Sequence, residues 1–540
     1  MKLLLIQPPI QDFYDTDIRL QPMGLAYLKA AVKKHCPGIE VIIKDYHQGY
    51  GRRTIPLPAE LSYLKEYFPC HDLSPFSTFH HYYHFGADFD LIGSEVAGEK
   101  PDIVGISALF SPYYREVLAC ADKIKKRMDV PIIAGGSHVS AAPLSILQDS
   151  NVDFVIRGEG ERPLVEWIKT FEHGSGWQKV PNLGFKKDGK MILNPLEEND
   201  HFNELPWPDL SDLPPDRYAF KRKPLCFIAT SRGCPHGCSF CSVKTTFGRG
   251  FRQRPADDIL SEIKERYEQG YRVFDFEDDN LSFDRDSARH MLKCLTGGFQ
   301  PGTVHFTAMN GLSYLSLDKE MLGLMKQAGF TDLNIALVSA SQRVMSELGR
   351  PHSLEKYNAV VEEAYLSGLN ITSYQILGLP NETIDEMIDT LTILCRQPVL
   401  IGASIFYLTP GCELANQFPD PAESDYLKAR STAMAIETDQ FGREDIYTLF
   451  IMARIVNFIK GIESFDQKIT LHHALEILKK IDKRSSLGID ILKKLFQEQN
   501  LYAATRQGFK PLPRFKSSLF FKAWERIGFI TTRKGNRVEI

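Results

Sequence analysis

The chain has 540 residues, 43% hydrophobic and 24% charged, ordinary proportions for a globular protein that buries full cores, and its length calls for two to four domains. A formal net charge of −4 gives no electrostatic case for a nucleic acid or an anionic membrane surface as partner. The opening MKLLLIQPPI runs apolar only over LLLI before Gln7, Pro8 and Pro9 interrupt it, too short for a signal or a membrane span, so a cytoplasmic location is expected.

Up to residue 170, apolar runs alternate with amphipathic stretches: LLLI at 3–6, GLAYLKAAVKK at 24–34, VIIKD at 41–45, DIVGIS at 102–107, YREVLACADKIKKR at 114–127, PIIAGG at 131–136 and DFVIRGEGE at 153–161. That alternation predicts an α/β fold with a doubly wound, Rossmann-like parallel sheet over 1–170. Ligands of such sheets bind at the carboxyl ends of the strands, where Pro8, Pro9, Ser107, Gly135, Gly136, Gly158 and Gly160 fall. Each glycine alone reads equally as a tight βα turn.

Residues 171–222 turn rich in Gly, Pro and Asp and read as a connector, with a small hairpin around Lys187-Asp188-Gly189. Over 223–420 strands and helices alternate again, from LCFIATS through YRVFDFEDDN, VHFTAMN and DLNIALVSAS to NITSYQILGLP. A parallel barrel or partial barrel of the TIM type is predicted, with its site at the strand C-termini. Glu277-Asp278-Asp279-Asn280, Asn310, Ser339 and Gly378-Leu379-Pro380 lie there. Residues 421–540 are expected to be mainly helical, ending in a basic, frayed tail, TTRKGNRVEI.

Between the first barrel strand and its helix lies SRGCPHGCSFC, 231–241, with Cys234, Cys238 and Cys241 at C-x3-C-x2-C spacing. A structural zinc site would need a fourth Cys or His, and His236 lies inside the loop. A disulfide is disfavoured in a chain without a secretion signal. Three soft thiolates suit an iron–sulfur cluster with one iron left open for chemistry.

With aromatic Phe240 before its last cysteine, this loop resembles the cluster loop of radical S-adenosylmethionine (SAM) enzymes. The resemblance implies a [4Fe-4S] cluster whose open iron chelates the amino and carboxylate groups of SAM. One electron, from a donor such as flavodoxin or ferredoxin, then cleaves SAM to a 5′-deoxyadenosyl radical. It further implies SAM contacts from Phe240, Glu277, Asp278, Asp279, Asn280 and Asn310. Ser339 takes the ribose position, although Val338 stands where the family carries an acid. Arg350 in GRPHS is similar to a basic residue that meets the SAM carboxylate. YQILGLP at 374–380 resembles the strand along the adenine, bringing Gly378 and Pro380 there, and TPGCE at 409–413 resembles a Pro-Gly-Thr turn with Cys412 in the Thr place.

SAL at 107–109, AGG at 134–136, GEGE at 158–161 and PMGLAYL at 22–28 resemble the cobalamin-binding domain of the B12-dependent subgroup. That implies cobalamin contacts from Pro8, Pro9, Gly24, Ser107, Leu109, Gly135, Gly136, His138, Gly158, Glu159 and Gly160. The D-x-H-x-x-G stretch that carries the cobalt-ligating histidine in mutase-type domains is replaced by QPPIQDF, so cobalamin is expected base-off with no protein histidine on its lower face. His47 and His138 are the remaining candidates for that ligand, each weighed against an ordinary hydrogen-bonded histidine. The resemblance implies methyl transfer, by way of methylcobalamin, to an unactivated carbon of a small-molecule or peptide substrate. Radical cyclisation, oxidation or rearrangement, and a non-catalytic corrinoid-binding protein, are the alternatives.

Overall fold

Leu3, Leu4, Leu5 and Ile6 are buried on both faces, which only a central strand of a helix-covered parallel sheet requires. In a computed structural model describing residues 1–14, 20–172, 176–198, 201–464 and 466–540, strand Lys2–Gln7 lies between Glu40–Asp45 and Ile103–Ser107, both parallel to it. Ile132–Gly135 and Phe154–Ile156 follow beyond Ile103–Ser107. The chain winds outward in both directions from Lys2–Gln7, so the crevice at its carboxyl end is the topological switch point. The hairpin Leu183–Lys187/Lys190–Leu193 forms around Asp188 and Gly189, whose φ values of 51° and 73° suit a two-residue turn. It does not stand apart: Leu183–Lys187 pairs antiparallel with Phe154–Ile156 and widens the sheet to seven strands. Within the expected connector, residues 173–175 and 199–200 lie outside the described residues. A second, three-stranded antiparallel sheet, Ile10–Asp12, Tyr82–Phe85 and Arg52–Ile55, covers one edge of this region.

The barrel is open. Parallel strands Lys223–Ile228, Val273–Phe276 and His305–Thr307 form one arc and Asp332–Val338, Asn370–Leu377 and Leu400–Ile405 the other, joined by bridges Phe306 to Phe330 and Leu312 to Ile335. The last strand escapes sequence patterning because Gly402 interrupts it; a Cβ there would lie 2.4 Å from the Tyr374 ring that crosses the neighbouring strand.

Helices Arg443–Lys460, Leu471–Lys479, Lys483–Glu498 and Ser517–Ile527 dominate the C-terminal part. The expectation of a frayed tail is corrected: Phe529–Thr531 pairs antiparallel with Arg537–Glu539, which pairs parallel with Lys468–Thr470, and Thr532 and Val538 are fully buried. No helix among the described residues is long and apolar enough to cross a membrane.

Lys460 ties this part to the barrel. Its buried Nζ donates to the carbonyls of Cys395, Gln397 and Thr531 at 3.0, 2.6 and 2.8 Å, and burial pulls its ammonium down to about 7. Lys460→Met keeps the apolar stem but strands three carbonyls, and is expected to cost about 2–4 kcal/mol. A lowered unfolding temperature and faster proteolysis after residue 460 would register the loss.

Candidate active site

The acidic run at the end of strand Val273–Phe276 builds the cysteine loop from below. Asp278 is buried and accepts from the hydroxyls of Thr230 and Ser231, and burial raises its carboxyl to about 6. Asp279 accepts the Gly233 amide at 3.0 Å, and Asn280 Nδ2 lies 3.6 Å from Cys234 Sγ. Both carboxylates help to hold the chain that leads into Cys234, Asp278 fully buried and Asp279 half-buried with one oxygen on the Gly233 amide. Glu277 and Asn310, bonded to each other at 2.9 Å, stay at the barrel mouth.

Gly233 is required here. Its φ is 82° and a Cβ would fall 2.1 Å from the Gly250 carbonyl. The loop is then strung between two turns: Ser239 donates to the Leu348 carbonyl at 2.9 Å and accepts from the Leu414 amide at 2.8 Å. Arg350 lies 3.8 Å from Cys238 Sγ and 3.3 Å from the Ala336 carbonyl. Phe240 packs with Val338, Leu348, Phe406 and buried Cys412 inside the mouth.

The described residues hold one trio of His, Cys, Asp or Glu ligand atoms within 4.8 Å of one another, and it is not the cysteines. At least one pair of the three sulfurs is therefore more than 4.8 Å apart, beyond the roughly 3.8 Å of a tetrahedral zinc–thiolate site. Burial pushes the Cys241 thiol up to about 11, with Cys238, Asp279 and Cys234 adding to it, so the positive charge of bound iron is what would make it a thiolate.

Facing this loop are the strand ends of the first sheet. Gly136, at φ 125°, touches the neighbouring strand end so closely that a Cβ would lie 2.6 Å from the Ala108 carbonyl. Above half-buried Ser107, Gly135 and Gly136, Leu109 and Phe110 remain 37% and 45% exposed. Pro8 and Pro9 are buried beside them, and Gly24 sits exposed in the first turn of helix Met23–His35. This flat, apolar, small-residue end fits a corrin. His138, a candidate for the lower ligand, is buried with Nδ1 and Nε2 each 2.9 Å from a hydroxyl, Ser111 and Ser145. Burial pushes it down to about 4. His47 is likewise buried, its Nδ1 3.5 Å from the Phe85 carbonyl.

Three more expected cofactor residues serve packing. Glu159 pairs with Arg232 at 2.7 Å and with Arg252 at 2.5 Å, while Glu161 takes the other Arg232 nitrogen at 2.7 Å. Glu159 is thus half of an ion pair between the first sheet and the cysteine loop. Gly158 brings the sheet against the helix after the cysteines, its Cβ position 3.4 Å from the Thr246 carbonyl, and Gly160 closes on Leu28. In the barrel, Ser339 is fully buried and donates to Glu382 at 2.6 Å. Gly378 and Pro380 are buried too, and Gly378 lies against Ile446 of helix Arg443–Lys460.

Sequence reasoning missed several residues. Val338 ends its strand at φ 69°, a left-handed conformation that a β-branched residue adopts only under constraint, next to a register shift. Tyr14 and Tyr407 keep 46% and 36% of their surfaces accessible, yet burial raises both phenols and Cys241 adds to the effect on Tyr407. Tyr14 is coupled electrostatically to Tyr407, and Tyr407 to Cys241, which places the two tyrosines between the first sheet and the cysteine loop. No local signal marks either tyrosine.

Residues 228–394 match the radical SAM superfamily and residues 80–168 the B12 binding domain. The chain joins a B12-binding domain to a radical SAM domain. This B12-dependent radical SAM enzyme takes SAM, a [4Fe-4S] cluster and cobalamin. It is 26% identical over 477 residues to cytidylyl-2-hydroxyethylphosphonate methyltransferase of Streptomyces wedmorensis, covering 79% of this chain and 84% of that one. It is 22% identical over 371 residues to anaerobic magnesium-protoporphyrin IX monomethyl ester cyclase of Rubrivivax gelatinosus, covering 66% of each. Its fold resembles that of the radical SAM methyltransferase TsrM from Kitasatospora setae, solved with cobalamin and a [4Fe-4S] cluster, at TM-score 0.59 and 16% identity over 82% of this chain and 86% of that one.

Burial raises Glu382 from 4.5 to about 8. The folded protein therefore holds a proton there that the unfolded chain releases near 4.5, so this contribution to stability is complete below that pH and is lost as pH rises through about 8. Glu382→Gln should flatten the dependence: its unfolding temperature should gain on the parent's from about pH 5 to about pH 9, measured by calorimetry.

Proposed function

We propose that the chain transfers a methyl group from SAM, by way of cobalamin, to an unactivated carbon of a small-molecule or peptide substrate. The observation that supports this reading is that the Ser107 to Gly136 end of the first sheet and the Cys234–Cys241 loop face each other. The turn at Gly411 bridges them, since a Cβ there would lie 2.8 Å from Thr245 and 3.0 Å from Ala141, on the helices that follow the two loops. When bound, the cluster with SAM supplies a radical that removes a hydrogen atom, and cobalamin supplies the methyl group.

The chain's own residues hold and orient. Cys234, Cys238 and Cys241 hold the cluster, reduced by a flavodoxin- or ferredoxin-type donor. Arg350, whose planar guanidinium suits a carboxylate, and the Glu277–Asn310 pair at the mouth are the polar groups left to take SAM, with Phe240 and Asn280 beside the loop. Pro8, Pro9, Gly24, Ser107, Leu109, Gly135 and Gly136 form the corrin face, and Leu109, Phe110, Tyr14 and Tyr407 keep water from the cavity. Holding donor and acceptor in line is the protein's share of the rate. Radical cyclisation, oxidation or rearrangement remains the second reading, favoured by the similarity to the cyclase of Rubrivivax gelatinosus.

A metabolite that accumulates when the gene is deleted supplies the substrate for the test. Incubated with reduced holoenzyme and methyl-labelled SAM, it should acquire the label, with one S-adenosylhomocysteine and one 5′-deoxyadenosine formed per product. Cys241→Ala should abolish both. Unlabelled product formed together with 5′-deoxyadenosine would replace methyl transfer by the second reading.

A further inference from the structure

Far from the cysteine loop in sequence, His71, His80 and His81 bring one ring nitrogen each within 4.8 Å of the others. His71 Nδ1 and His81 Nε2 are 2.9 Å apart, and ring centroids lie 4.5 Å apart for His71 and His80 and 4.6 Å for His80 and His81. Nitrogens bound to one tetrahedral zinc at about 2.0–2.1 Å would stand about 3.3 Å apart, so the His71–His81 pair is within a few tenths of an ångström of that spacing and the whole trio lies within 4.8 Å.

The backbone that presents them is held independently of the imidazoles. Asp72, next to His71, accepts from the Ser74 amide and hydroxyl and from the Ala504 amide, at 2.9, 2.7 and 2.9 Å. Arg454 donates to the carbonyls of Phe76 and Ser77 at 3.0 and 2.7 Å. Phe79 sits at φ 52°, a left-handed turn that a bulky residue adopts only when its surroundings impose it, and its ring stacks on Phe450 at 5.8 Å. This turn swings His80 and His81 back toward His71. Ser77 Oγ, 3.2 Å from His80 Nδ1, orients that ring, the kind of hydroxyl contact that positions ligating histidines. His80 and His81 also line a cavity of about 180 Å³ with Phe13, Leu64, Phe68 and Tyr82.

We propose that His71, His80 and His81 bind one zinc ion, with a fourth, exchangeable position, filled by water, open to this cavity. The donor set is three neutral imidazoles, which suits zinc and leaves the position free. Bound there, the ion joins the segment before strand Tyr82–Phe85 to the segment that Asp72 ties to the Ala504 amide. The site stands apart from the methyl-transfer reading and does not rest on it.

The test uses holoenzyme with its cluster and cobalamin in place, titrated anaerobically with zinc alone. Zinc is counted after gel filtration, a readout blind to cluster iron and cobalamin cobalt, and affinity is read by competition with a chromophoric chelator. One equivalent should bind. His71→Gln, His80→Gln and His81→Gln should each weaken it at least about 100-fold, and Ser77→Ala about 10-fold. Cluster and cobalamin content of each variant reports that it folds, and Ser77→Ala retains the test if a histidine variant does not. Cys241→Ala should leave the zinc in place. Equal zinc in parent and all four His and Ser variants, zinc lost with the cysteine instead, or nickel or iron(II) displacing zinc at equal concentration would each overturn the assignment.

Discussion

Arg232, two residues before Cys234, is buried between Glu159 and Glu161 of the first sheet, and the active-site architecture depends on that contact. Its guanidinium also lies over the rings of Tyr27 and Phe202, at 4.8 and 4.6 Å, so it is enclosed on its faces as well as its edges. Burial works against its charge, but Glu161 and Glu159 outweigh it and hold the group more firmly protonated than usual. Arg252 supplies the second positive charge that two buried glutamates need. Removing one partner of such a cluster leaves an uncompensated buried charge, at a cost of about 3–5 kcal/mol. The register between the loop of one domain and the strand ends of the other is therefore set by charge, and the close approaches at Gly158 and Gly411 follow from it.

The same device recurs at the other two junctions. Arg430 reaches from the C-terminal part into the first domain, 3.2 Å from Asp12 and donating to the carbonyls of Gln11 and Pro112. Lys460 does so between the C-terminal part and the barrel. Each junction has one buried cation, satisfied mostly by carbonyls or carboxylates whose positions the fold already fixes. Buried polar contacts of this kind are costly when half satisfied, and so they specify one arrangement of the three parts around the cavity.

What was legible in the sequence was what depends on short spacing. Strand and helix alternation announced both sheets, and three cysteines within eleven residues announced the loop. What was not legible was the direction in which a polar side chain faces. Asp278, Asp279, Glu159 and Ser339 occupy strand ends, where a cofactor contact and a structural anchor have the same sequence signature; each makes a polar contact within the protein that the sequence did not reveal. Gly402 concealed a strand by lacking the side chain that would have shown its alternation. The ordered tail was hidden because its basic residues face outward while Thr532 and Val538 face in. His71 and His80 met only through a turn at Phe79, a residue type that gives no turn signal.

The central claim is that the Arg232 contact holds the cysteine loop and the corrin face around one cavity. Electron paramagnetic resonance of the Co(II) form of bound cobalamin, with the cluster oxidised and then reduced, tests it directly. Reduction of the cluster should quicken the relaxation of the cobalt spin in the parent enzyme, and Arg232→Met should weaken that effect while both cofactors stay bound. Cobalt relaxation indifferent to the state of the cluster in the parent enzyme would contradict the account.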